Sequence, residues 1–271
     1  MTDRFGNARV LVVAGSDSGG GAGIQADLKA VMALGGYCST AITALTAQNT
    51  RGVQDVHTIP PGFVAAQMRS VLADIGADCV KTGMLHDTAV IDAVAAELDA
   101  LAPGVPLVVD PVMVAQSGDR LLAEAAAERL GDVLLPRATL LTPNLPEAEV
   151  LLGRSVPGTE AGLREAARAL RGFGPGAVLV KGGHAAGEEV IDCLATPDGE
   201  MCFRSRRIDT TSNHGTGCTL ASAIAAGVAR ELPMADAVAR ARDYLQEALR
   251  TARGLGSGAG PVNHAFNVPP Y

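Results

Sequence analysis

Arg9-Val10-Leu11-Val12-Val13-Ala14-Gly15 is followed by Ser16-Asp17-Ser18-Gly19-Gly20-Gly21-Ala22-Gly23, and then by Ile24 through Leu34. The first stretch is a short, unbroken apolar run that ends on glycine. Such a run reads as a strand buried on both faces. The second is a glycine-rich loop. The third has helical spacing and closes on Gly35-Gly36, a C-cap signal. Strand, loop and helix in this order are the repeating unit of an α/β protein.

The pattern continues along the chain. Cys38–Ala47 reads as a second strand, and Pro60-Pro61 opens a helix to about Ile75, since Pro suits a first turn. Asp78–Thr82, Pro106–Asp110, Ala138–Thr142 and Ala177–Lys181 read as further strands. Between them, Thr88–Leu101, Leu121–Leu130, roughly 145–153 and 159–172 read as helices. Residues 188–208 suggest short antiparallel strands around Pro197-Asp198-Gly199, and helices near 216–230 and 234–253 close the chain. The tail from Gly254 to Pro261 reads as a loop packed near the site. This alternation predicts an α/β fold with a mainly parallel sheet covered on both faces. With no linker and no repeat, a single domain over 1–271 is expected.

Composition removes several classes. The chain carries a formal net charge of -7, has no Trp and only 3% aromatics, so a nucleic-acid partner is not expected. No apolar run would span a bilayer, and Met1–Asn7 has no basic segment leading into an apolar one, so a cytoplasmic location is the expectation. The five cysteines include no C-x-x-C pair. Cys38, Cys79, Cys193 and Cys202 therefore read as free thiols rather than as zinc ligands or disulfides.

In parallel sheets, functional residues collect at the carboxyl ends of strands. Gly15, Gln48, Thr82, Asp110, Asn144 and Lys181 fall there on this reading. Asp110 reads as a Mg²⁺ ligand or a cap, and Asn144 with Glu147 as a site pair or a capping box. Lys181, beside Gly182-Gly183, reads as an exposed or a functional ammonium, and His214 as a base or a structural histidine. His214-Gly215-Thr216-Gly217-Cys218-Thr219 precedes an Ala-rich helical stretch. The unpaired amides of such a helix start suit phosphate, and the Cys218 thiol is expected to have a lowered pKa there. Gly21-Ala22-Gly23-Ile24-Gln25-Ala26 fits the dinucleotide pattern G-x-G-x-x-A only formally, because no acidic residue ends the second strand, and the P-loop pattern is absent.

The motifs together resemble a known family. They are Ala14-Gly15-Ser16-Asp17, Gly21–Lys29, Ile42–Thr50, Lys81-Thr82-Gly83-Met84-Leu85, Asp110-Pro111-Val112-Met113, Thr142–Ala148, Lys181–His184, His214–Thr219 and Gly260–His264. In this order they resemble the hydroxymethylpyrimidine/phosphomethylpyrimidine kinases of thiamine biosynthesis, within the ribokinase-like superfamily. The resemblance implies a ribokinase-like three-layer α/β/α sandwich. It implies ATP-dependent phosphorylation of 4-amino-5-hydroxymethyl-2-methylpyrimidine, and then of its monophosphate to the diphosphate.

By the same resemblance, Cys218 would be the catalytic base, with Gly215 and Gly217 stabilising the transferring phosphoryl group. Gln48 would hydrogen-bond the pyrimidine, with Gly15, Asp27, Thr46, Met84 and Val112 as further substrate contacts. Lys181, Asn144 and Thr216 would meet ATP phosphates, Asp110 and Glu147 a Mg²⁺ ion, and the chain would form a homodimer. Two stretches depart from the family pattern: Gly19 stands where a serine is usual, and Ser212-Asn213 replaces Asn-Thr. Pyridoxal or pyridoxine kinase is the alternative within the superfamily, and Gln48 favours the pyrimidine. A non-catalytic pyrimidine sensor is disfavoured because Cys218, Lys181 and Asp110 are all present.

Overall fold

The computed structural model describes residues 8–113 and 124–268. Among these, nine strands form one sheet. In chain order the elements are β1 (Arg9–Asp17), α1 (Gly23–Ala33), β2 (Tyr37–Asn49), β3 (Gly52–Thr58), α2 (Pro61–Asp74), β4 (Cys79–Thr82) and α3 (Thr88–Leu101). There follow β5 (Leu107–Val109), α4 (Glu124–Val133), β6 (Leu140–Leu141), α5 (Leu145–Leu152), α6 (Glu160–Arg171) and β7 (Ala177–Val180). The hairpin β8 (Glu189–Thr196) and β9 (Gly199–Arg206) precedes α7 (Thr216–Val228) and α8 (Met234–Arg250). The sheet order is β3-β2-β1-β4-β5-β6-β7-β8-β9, parallel from β2 to β7 and antiparallel at both edges.

Side chains alternate along a strand, so an unbroken apolar strand feeds two cores. Leu11 and Val13 of β1 enter the core covered by α2 to α6, while Val10, Val12 and Ala14 enter the one covered by α1, α7 and α8. The result is helices on both faces of a mainly parallel sheet, as expected. The Ala-rich α7 packs on the sheet between α1 and α8, with Leu220–Ala226 buried throughout. Small residues are needed there: a Cβ on Gly227 would stand 2.9 Å from that of Ala237 in α8.

The chain leaves β1 toward β2 on one side and returns on the other as β4. This reversal makes a switch point, where a crevice opens at the carboxyl ends. The register of β1 with β2 shifts between Ala14 and Ser16, and the strand runs on to Asp17, past the end expected at Gly15.

Two expectations are corrected. The stretch before Pro60-Pro61, where the sequence predicts no strand, forms β3, a half-exposed edge strand, Gly52-Val53-Gln54-Asp55-Val56-His57-Thr58, that among the described residues pairs only with β2. Cys193 and Cys202 are not free thiols but a disulfide, because the β8–β9 register puts them directly opposite each other, with Cα atoms 4.2 Å apart. Cys38, Cys79 and Cys218 are free. The expected helix start at Leu121 lies outside the described residues.

Candidate active site

A cavity of about 1030 Å³ runs across the carboxyl ends of the parallel strands. All residues assigned a site role from sequence line it, with one exception, Asp27. Gly15, Thr46, Gln48, Met84 and Val112 form one end; the loop after β7 and residues Arg206–Thr210 form the other. The N-terminus of α7 lies between them.

That N-terminus is built by glycines. Gly215 is the N-cap residue in the left-handed region, at φ 76°, and a side chain there would collide with the Gly21 carbonyl oxygen. Its lack of a side chain also leaves the first-turn amides without a side-chain cap. A Cβ on Gly217 would stand 3.3 Å from Lys181 Nζ and 3.9 Å from Asp110 Oδ2, so the helix approaches both charges closely. Free amides beside an ammonium make a site for a phosphoryl group.

Lys181 Nζ donates to Asp110 Oδ1 at 2.9 Å, and Thr142 Oγ1 donates to the same oxygen at 3.0 Å. Burial pushes the Asp110 carboxyl up, but Lys181, Lys81 and these hydrogen bonds outweigh it, and the pKa falls. Burial likewise opposes the charge of Lys181, yet Asp110 and Glu147 raise its pKa. Asn144 and Glu147 form a complete capping box on α5: Asn144 Oδ1 accepts from the Glu147 amide, and Glu147 Oε2 from the Asn144 amide. Both also line the cavity, so the cap and the site are one feature. Burial and the nearby Asp110 raise Glu147 to about 7, against the pull of Lys181. Among the described residues, no three His, Cys, Asp or Glu side chains gather as a metal cage.

Cys218 keeps some exposure to the cavity, but its expected low pKa is overturned. Burial pushes the thiol up to about 12, helped by Asp27 and Asp110, and Lys81 only partly offsets this. A helix N-terminus alone does not outweigh desolvation flanked by two carboxylates. The other correction is Asp27. It stands behind the cavity wall, fully buried, with both oxygens on Lys81 Nζ at 2.9 and 3.1 Å and Oδ1 also accepting from Ser222 Oγ at 2.6 Å. Sealed from the cavity in this way, its carboxylate does not reach a substrate bound there.

Sequence reasoning missed three further residues. Asp17 Oδ1 accepts from the Gly19 amide, and Oδ2 from the amides of Gly21 and Ala22 and from His214 Nε2. An Asp just before a run of glycines is a turn signal that could have been read. Asp192 Oδ1 accepts from the Gly182 amide, next to Lys181, and pairs with Arg242. Arg207 donates to the carbonyls of Gly183, Ala185 and Gly187, stitching the loop after β7. Neither residue carries a local sequence signal.

The family model described as phosphomethylpyrimidine kinase matches residues 17–263. The chain belongs to that family. It is 49% identical over 256 residues to the hydroxymethylpyrimidine/phosphomethylpyrimidine kinase of Escherichia coli, covering 94% of this chain and 96% of that protein. It is 51% identical over 260 residues to the thiamine biosynthesis bifunctional protein ThiED of Geobacter sulfurreducens, covering 96% of this chain. This kinase spans only 53% of that longer protein's length. The pyridoxal kinase of Bacillus subtilis, solved as an ADP complex, superposes with a TM-score of 0.87 at 33% identity, covering 95% of this chain and 97% of that one. The chain is a phosphotransferase of ribokinase-like fold. Among its described residues no helix is long and apolar enough to cross a membrane.

Proposed function

We propose that this kinase transfers a phosphoryl group from ATP to the hydroxymethyl of 4-amino-5-hydroxymethyl-2-methylpyrimidine, and then phosphorylates the monophosphate to the diphosphate. The observation that carries this is one cavity holding an amide cradle at α7, a Lys181–Asp110 pair beside it and Gln48 beyond it. A Gln amide offers one donor and one acceptor, the complement of an aminopyrimidine edge. Met84 and Val112 supply apolar walls for the ring. The first-turn amides Gly215–Cys218 stabilise charge on the transferring group, as phosphoryl transfer chiefly requires. Lys181, with Asn144 and Thr216, meets the nucleotide phosphates.

A Mg²⁺ ion fits this donor set. Asp110 Oδ2 accepts no hydrogen bond from the described residues and faces α7, and Asp110 lies close enough to Glu147 to raise its pKa. Mg²⁺ commonly takes one or two carboxylates and completes its shell with water and phosphate oxygens. Asp110 and Glu147 would hold it, and when bound it neutralises phosphate charge.

Cys218 takes the acceptor's proton as a thiolate. Its high pKa makes that form rare at neutral pH, so kcat should rise with pH across 6–9. Cys218→Ala should cost about 10²–10⁴-fold and abolish that slope. A variant that keeps both rate and slope removes Cys218 from the base role. The test of the function is ADP release with the aminopyrimidine alcohol, its monophosphate and pyridoxal in parallel. The first two should be turned over. Pyridoxal turned over better than both would establish the alternative that the Bacillus subtilis likeness favours.

A further inference from the structure

Gln48 does not stand alone in the cavity. Its amide end lies 3.3 Å from His214 Nε2 on one side and 3.1 Å from Thr46 Oγ1 on the other. Each neighbour is tied further back. His214 Nε2 is 2.9 Å from Asp17 Oδ2, and Thr46 Oγ1 is 2.9 Å from the Ser16 carbonyl oxygen.

The direction of every hydrogen bond in this chain follows from its ends. Asp17 accepts three backbone N–H bonds, and its pKa is lowered despite burial, so it is a carboxylate. A carboxylate only accepts. His214 Nε2 therefore carries the proton and donates it. At the other end the Ser16 carbonyl only accepts, so the single Thr46 hydroxyl proton is spent there. Thr46 Oγ1 can then only accept from Gln48. An amide's oxygen and nitrogen are told apart by the partners they meet. The single His214 Nε2 proton is likewise spent on Asp17, and a protonated Nε2 has no lone pair to accept from an amide N–H. Gln48 Oε1 therefore takes the His214 side, and Gln48 Nε2 donates to Thr46.

His214 cannot turn away from this duty. A Cβ on Gly21 would lie 2.4 Å from its ring, and its backbone amide is held by the Gly260 carbonyl at 3.0 Å. The ring is largely buried, as is Asp17.

We infer that Asp17, His214 and Thr46 are positioning residues that fix the orientation of the Gln48 amide, and thereby the specificity of the acceptor site. The inference rests on the pyrimidine reading proposed above. The amide presents its remaining lone pair on the His214 side and its remaining N–H on the Thr46 side. An exocyclic amine must then lie toward His214 and a ring nitrogen toward Thr46. An acceptor with the reverse order of donor and acceptor is refused, because it leaves buried polar groups unpaired.

The test is a double-mutant cycle on kcat and KM for the aminopyrimidine alcohol and on KM for ATP. His214→Phe should raise the alcohol's KM about tenfold, the value of one hydrogen bond, while kcat and the ATP KM stay within about twofold. In a Gln48→Ala background the same substitution should change KM by less than about twofold. Equal costs in both backgrounds, or a matching rise in ATP KM, overturn the inference. Thr46→Val probes the other end with the same expectations should His214→Phe fail to fold. Nitrogen-15 NMR of the unliganded kinase should show the His214 proton on Nε2, and a proton on Nδ1 alone overturns the chain. Failure of the wild type to phosphorylate the pyrimidine would instead refute the function, and the NMR result would still judge the chain.

Discussion

Two lysine–aspartate pairs sit at the carboxyl ends of this sheet, on either side of the start of α7. Lys81 meets Asp27 at 2.9 Å, and Lys181 meets Asp110 at 2.9 Å. Chemistry and distance are the same; surroundings are not. Both side chains of the first pair are 0% exposed, and Ser222 completes the aspartate, so α1, β4 and α7 are joined through a sealed triad. The second pair is 10% and 2% exposed, borders the cavity, and has a third carboxylate, Glu147, within its field. An enclosed pair that no ligand can reach can only hold elements together. A pair with an open oxygen and spare N–H groups can exchange partners with a ligand.

The comparison breaks if the two pairs respond alike to removal of the lysine. Lys81→Met should have the larger effect on stability, about 3–5 kcal/mol by urea denaturation, because Asp27 is left buried and unpaired. Lys81→Met with Asp27→Leu should recover most of that loss. A single variant as stable as the wild type would show that the sealed pair does not link these elements. Lys181→Met should instead lose about 10²–10³-fold in kcat/KM for ATP. Its stability should fall by no more than about 1–2 kcal/mol, since water in the cavity can serve Asp110. A loss as large as that for Lys81→Met would erase the distinction.

Neither pairing was legible before folding. Asp27 and Lys81 are 54 residues apart, and Asp110 and Lys181 are 71 apart. What could be read was whatever depends on neighbours in sequence. Val10–Ala14, Val108-Val109 and Val178–Val180 announce strands because burial on both faces needs unbroken apolar runs. The His214–Cys218 turn announces a cradle because glycine serves a local geometry. The edge strand β3 was hidden because one half-exposed partner imposes no apolar pattern. The Cys193–Cys202 bond depends on hairpin register, which residue spacing does not reveal. The raised Cys218 pKa is not legible in sequence, because the helix start is local while the burial and the two carboxylates behind it come from folding. Asp27 was placed correctly in the order of motifs but on the wrong side of the cavity wall.

The smallest expected effect sharpens the comparison most, because it reads the open pair without touching either of its members. Glu147 has its pKa raised to about 7 by burial and by Asp110, so the folded protein holds this proton more tightly than the unfolded chain does. The stability it contributes is full below the unfolded pKa of about 4.3 and is lost as pH rises through about 7. Wild-type stability should therefore fall between pH 5 and 8 relative to Glu147→Gln, which carries no such proton. Mg²⁺ with ATP should reduce that fall, because a cation near Asp110 favours the ionised carboxyl. The group that completes the sealed pair is the Ser222 hydroxyl, which does not titrate, so Ser222→Ala should leave the pH profile unchanged. A flat wild-type profile over this range would mean that Glu147 is ionised without help. The open pair would then be as satisfied as the closed one, and its readiness for a ligand would need another source.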